Sequence, residues 1–110
     1  MKAALFHPAA IDAIRSFPGD VRRELGKLLY DLQTEVRLGM PQSRPMPSVG
    51  SGIHELRVRD RSGVYRAFYY LKSARGVLIV HAFMKKTQAT SQQDIEIGRQ
   101  RLREMMNEEI

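Results

Sequence analysis

The chain has 110 residues, 43% of them hydrophobic and 27% charged, with a formal net charge of +6. That length fits a single domain, residues 1–110, around one modest core. It has no Cys, which excludes a disulfide framework and a thiolate metal site, and no run of ~18 apolar residues, which excludes a helical membrane span.

The N-terminal apolar stretch is broken by His7-Pro8 and then by Asp12, which argues against a signal peptide and for a cytoplasmic protein. Lys2 to Phe6 is short enough to be an edge strand. Pro8 suits the first turn of a helix, and Ile11 and Ile14 give it an apolar side before Phe17-Pro18-Gly19 ends it. Residues 20–38 form the clearest helix. Val21, Leu25, Leu28, Leu29, Leu32 and Val36 recur at three- and four-residue spacing. Asp20 is placed to cap its start and Gly39 to end it. Gly26 inside it is expected to allow close packing on a neighbour.

Residues 39–52 hold three Pro and three Gly and read as a loop without regular structure. The period then changes to two. Ile53–Arg59, Val64–Lys72 and Val77–Lys86 read as three strands joined by turns at 60–63 and 73–76, an antiparallel meander. Thr90 or Ser91, with Gln93 or Asp94 three positions on, can cap a last helix from about residue 92.

The positive charge gathers on the meander. Residues 53–86 carry eight Lys and Arg against only Glu55 and Asp60. If the 60–63 turn closes the hairpin, Arg57 lies opposite Arg66 and shares a face with Arg59, while Leu56, Val58, Tyr65, Ala67, Tyr69 and Leu71 point at the helices. On the third strand, Leu78, Val80, Ala82 and Met84 read as the core face, which leaves His81 and Lys85 beside the Arg cluster. Facing arginines repel, and an anion relieves that repulsion. A basic sheet face of this kind points to nucleic acid.

The three His residues have no ligand-like spacing, and no phosphate-binding Gly-rich loop or nucleophile elbow is present. What remains is cation-assisted phosphodiester cleavage, in which RNA supplies its own 2′-OH nucleophile. Arg and Lys stabilise the extra negative charge, and a Lys crowded by other cations becomes a better base. Arg57, Arg66, Lys85 and His81 are the candidate catalytic residues, and Arg59, Arg61 and Lys86 the candidate RNA-binding ones, with no metal and no cofactor. Tyr65, Tyr69 and Tyr70 read as sheet packing and the Met residues as core filler.

The run from His54 to Thr90 resembles the RelE toxin superfamily, and within it the HigB-like, phage-derived branch. The resemblance is carried by Glu55-Leu56-Arg57-Val58-Arg59, by Tyr65-Arg66 with Phe68-Tyr69, and by His81, Phe83 and Lys85-Lys86-Thr87. It implies an α+β fold in which two N-terminal helices pack on a three- to four-stranded antiparallel sheet, followed by a C-terminal helix. It also implies a toxin of a type II toxin–antitoxin system, an endoribonuclease that cuts mRNA at the ribosome without a metal. The partner it implies is a cognate antitoxin, commonly of helix-turn-helix type. The RelE-type Tyr near the C-terminus has no counterpart, since no Tyr follows Tyr70. The alternatives on the same fold are a ParE-like gyrase inhibitor and a module that only binds its antitoxin or nucleic acid.

Overall fold

In the computed structural model, which describes residues 1–86 and 89–107, five strands and three helices follow the order β1 (Ala4–Phe6), α1 (Pro8–Arg15), α2 (Gly19–Gln33), β2 (Ser43–Pro45), β3 (Ile53–Asp60), β4 (Gly63–Ser73), β5 (Gly76–Lys85) and α3 (Gln92–Asn107). The sheet order is β1-β5-β4-β3-β2. The meander of β3, β4 and β5 is antiparallel as expected, but β1 joins β5 in parallel, so the sheet is mixed and five-stranded. The edge strand expected within residues 2–6 is β1, while β2 escapes the periodic reading because three residues are too few to show a period of two. Among the described residues no helix is long and apolar enough to cross a membrane.

Helices α1 and α2 cover one face of the sheet. Val21, Leu25, Leu28, Leu29 and Leu32 of α2 pack against Leu56, Val58, Tyr65, Ala67, Tyr69, Val77 and Ile79. The stripe expected to reach Val36 stops earlier. The helix ends at Gln33, Glu35 takes the left-handed conformation (φ 65°), and its N–H bonds Leu32 O while that of Val36 bonds Asp31 O. Those two bonds close a Schellman cap without glycine, and Val36 is left exposed. Asp20 does not cap this helix. It sits in the first turn and pairs with Arg23.

The other face carries a second apolar cluster, Ile53, Phe68, Leu78 and Val80, covered by Met105 of α3 and by Met46 and Val49. The 39–52 segment is therefore not structureless: β2 pairs with β3, and the residues after it help close this core. Met84, Met40 and Met1, read as filler, are exposed instead. Ser91 begins α3, with the Asp94 N–H on its Oγ at 3.1 Å and its hydroxyl on Asp94 Oδ2 at 2.7 Å.

Strand β5 departs from simple alternation. Phe68 pairs with His81 but Tyr69 pairs with Ile79, so Val80 is an extra residue in the strand. A bulge of this kind resets which side chains face which way. Upstream of it the expected faces are inverted: Val77 and Ile79 pack under α1 and α2, and Leu78 under α3. Downstream, His81, Phe83 and Lys85 pair with Phe68, Arg66 and Val64, on the face of Arg57 and Arg59.

Two glycines have steric roles. A Cβ on Gly76 (φ 137°) would come within 2.3 Å of Ala3 O, where β1 closes on β5. A Cβ on Gly98 would meet Phe68 at 2.8 Å and Val49 at 2.9 Å, so α3 sits on the sheet at glycine distance. Gly26, expected to serve close packing, has nothing within 4 Å of its would-be Cβ. The same substitution should thus have opposite signs in the two helices. Gly26→Ala is expected to stabilise by up to ~1 kcal/mol, and Gly98→Ala to destabilise by roughly 1–3 kcal/mol through overpacking, both read from urea unfolding midpoints. Equal effects would show that α3 does not press on the sheet.

Candidate nucleic-acid interface

The registers lay the polar face out as a grid. One row across β2, β3, β4 and β5 reads Arg44, Glu55, Phe68, His81. The next reads Arg57, Arg66, Phe83, and the last Arg59, Val64, Lys85. Helix α3 covers the apolar part of this face and leaves Arg57, Arg59 and Lys85 of the last two rows accessible. Arg57 and Arg66 are directly opposite, as the hairpin parity demands.

Glu55 is fully buried and Arg66 is 1% exposed. Arg66 Nη1 donates to Glu55 Oε1 at 2.6 Å and Arg44 Nε donates to the same oxygen at 3.0 Å. The Thr90 hydroxyl donates to Oε2 at 3.1 Å, and Arg44 Nη2 donates to Thr90 Oγ1 at 3.4 Å. One carboxylate thus aligns two guanidinium groups, while Arg66 Nε stays buried without a partner. Burial pushes the Arg66 pKa down, and the Glu55 charge opposes that push. Glu55 neutralises part of the cluster. Asp60 does not. Its carboxylate accepts from the Ser62 N–H at 2.8 Å and from the Ser62 hydroxyl at 2.6 Å, which lowers its pKa and closes the Arg61-Ser62 turn.

Arg57 is half-buried, and the one polar contact of its side chain among the described residues is with Met40 Sδ at 3.8 Å. It lines a cavity of about 340 Å³ with Arg59, Pro41, Gln42 and Val64. Lys85 is partly buried. Its pKa is pushed down first by burial and then by the charge of Arg66, with Arg44 and Arg57 adding to the push and Glu55 opposing it. The site therefore holds a lysine that gives up its proton more readily than an ordinary one.

The structure brings together Arg57, Arg66, Arg59 and Lys85 of the residues singled out in the sequence. Arg61 lies exposed in the turn, and Lys86 is exposed just past the end of β5. Thr87 of the motif lies outside the described residues. His81 does not join the cluster. Arg101 Nη1 lies 3.0 Å from its Nδ1, and a guanidinium can only donate, so the ring is neutral with its proton on Nε2. That nitrogen donates to Asp94 Oδ1 at 2.8 Å. Both ring nitrogens are taken by α3. The sequence reading missed Arg44 and Thr90, since nothing periodic marks an Arg between prolines or a Thr beyond a strand end.

Burial lowers the His81 pKa below 6.5, with Arg101 and His7 pushing the same way and Asp94 opposing. The unfolded chain therefore binds this proton more readily than the folded one, and stability that is present above about pH 6.5 is lost as pH falls through the lowered value. Urea titrations at pH 7.5 and 5.5 should show that loss in the wild type and a smaller one in His81→Gln. Equal pH slopes would mean that His81 reaches solvent.

No curated protein matches the chain by sequence. Solved structures match it in fold. A chain of the intact E. coli RelBE toxin–antitoxin complex aligns with a TM-score of 0.58 at 20% identity, covering 79% of this chain and 100% of that one. The isolated E. coli RelE toxin aligns with a TM-score of 0.57 at 18% identity over 100% of both chains. A chain of the Mycobacterium tuberculosis RelBE2 complex aligns with a TM-score of 0.55 at 16% identity, over 76% of this chain and 98% of that one. The model of the phage-derived Gp49-like proteins matches residues 12–103. On that match, which spans both the helical hairpin and the basic sheet, the chain belongs to the phage-derived Gp49-like family, built on the RelE fold.

Proposed function

We propose that this chain is the toxin of a type II toxin–antitoxin pair and that it cleaves mRNA on translating ribosomes in the cytoplasm, without a metal ion. The observation that carries the reading is the accessible Arg57 and Lys85 on one sheet face, with the buried Arg66 directly across from Arg57. In the reaction the 2′-oxygen attacks phosphorus and the bond to the 5′-oxygen breaks, leaving a 2′,3′-cyclic phosphate and a 5′-hydroxyl. Lys85 takes the 2′-OH proton, and the proton it then carries passes to the 5′-oxygen as that bond breaks. Arg57 stabilises the doubly charged phosphorane, as a donor aimed at developing charge does, and Arg66, sealed across from it on Glu55, adds positive charge behind the site. Arg59, Arg61 and Lys86 hold flanking phosphates. His81, assigned to proton transfer from its position on the strand, enters this reading only by anchoring α3. The RelBE complexes pair a RelE-fold toxin with an antitoxin; here a helix-turn-helix antitoxin is proposed to cover the groove.

Expression without a partner, with the 5′ ends of cellular mRNA mapped, tests this. In-frame cuts confined to translated messages are expected. Intact mRNA with damaged DNA would replace the reading with gyrase inhibition, and normal growth despite soluble expression would remove the toxin. On programmed ribosomes, Lys85→Ala is expected to lower the single-turnover rate. Lys86→Ala is expected to weaken binding in a salt-dependent way.

A further inference from the structure

We propose that the cavity between the end of β5 and the start of α3 receives one nucleobase of the substrate, stacked on Phe83. The inference rests on the RNA-cleaving reading and adds where a base is recognised. The cavity measures about 400 Å³ and is lined by Phe83, Lys85, Thr90, Ser91, Gln93 and Asp94, among others, a volume typical of small-ligand sites. It shares Lys85 and Thr90 with the cation cluster. Phe83 lies directly across from Arg66. A phosphate positioned at Lys85, which lines the same cavity as Phe83, therefore brings an attached base over this ring.

The ring is prepared for stacking. His81 stacks on it with centroids 4.8 Å apart and an interplanar angle of 25°, and Phe68 meets it edge-on at 5.3 Å and 70°. Phe83 is held by these two rings, yet it stays partly exposed and borders the cavity. A base would continue the His81–Phe83 stack, an interaction every base can make. The cavity's polar lining includes one carboxylate, Asp94, beside Lys85 and Lys86. Both Asp94 oxygens are already engaged, Oδ1 by His81 at 2.8 Å and Oδ2 by Ser91 at 2.7 Å. Gln93 is exposed at the rim, and its amide offers two donors and an acceptor. It is the side chain placed to read the edge of the stacked base.

The test uses ribosomes programmed with short mRNAs whose A-site codon is 2′-O-methylated, so that the nucleophile is blocked and only binding is read. An abasic nucleotide is placed at each codon position in turn. One position is expected to weaken binding by roughly tenfold or more, the scale of one lost base stack. That penalty should vanish in Phe83→Leu. Gln93→Ala should level the affinities of the four bases there while keeping the abasic penalty. Equal binding of all abasic messages by the wild-type protein would overturn the inference, even if Phe83→Leu failed to fold. Unmethylated message left uncut on the same ribosomes would instead overturn the ribonuclease reading.

Discussion

Glu55→Ala is expected to lower the unfolding free energy by about 3–5 kcal/mol, the cost of leaving a buried charge without its partner. Arg66 is 1% exposed and has Glu55 as its ion-pair partner at 2.6 Å. Without the carboxylate, the guanidinium must stay desolvated beside Arg57 and Arg44, both of which push its charge out. Arg66→Ala should destabilise less, because the buried Glu55 loses its shortest partner but keeps Arg44 and Thr90. The double variant Glu55→Leu/Arg66→Met is expected to recover most of the loss, because apolar groups of similar volume replace a buried ion pair at little cost. Urea unfolding of the three variants decides. A loss of less than about 1 kcal/mol for Glu55→Ala would place Arg66 in water, as an exposed pair behaves.

Arg57→Ala is expected to separate activity from stability. Cleavage on programmed ribosomes should fall by roughly 10²–10³-fold, the effect of removing one donor to developing negative charge. Stability should stay within about 0.5 kcal/mol of wild type, as for a surface residue with no structural partner. Among the described residues no carboxylate pairs with Arg57, and the charge it faces directly is the like charge of Arg66. Full cleavage by a folded Arg57→Ala protein would move the reacting phosphate elsewhere. A stability loss as large as that of Glu55→Ala would make Arg57 structural.

The contrast between these two arginines shows how far one strand pattern reaches. Alternation put Arg57 and Arg66 on one face and in register, and both placements hold. It could not tell that one would be sealed and the other open. That depends on Arg44, from a strand too short to show a period, and on Thr90, which lies 35 positions from Glu55. The same limit appears on β5, where one extra residue, Val80, inverts the upstream faces while Lys85 still reaches the cation cluster. A bulge has no signature in a run as apolar as Val77–Val80, because every register of it buries well.

By itself the sequence determined the helical hairpin, the antiparallel meander, the start of α3 near residue 92 and the concentration of charge on one sheet face. Each of these follows from local periodicity, capping or turn chemistry. The tertiary structure alone decided that β1 adds in parallel at the edge, that α3 lands on the cationic face at Gly98, and that His81 is tied to α3 rather than to the cluster. It also decided that Glu55 lies beneath the site as the counter-charge of Arg66 and Arg44. These features arise from contacts between residues distant in sequence. Burial and Coulomb interactions fix them only when the layers close, and the spacing of residues along one strand does not record which layer will cover it.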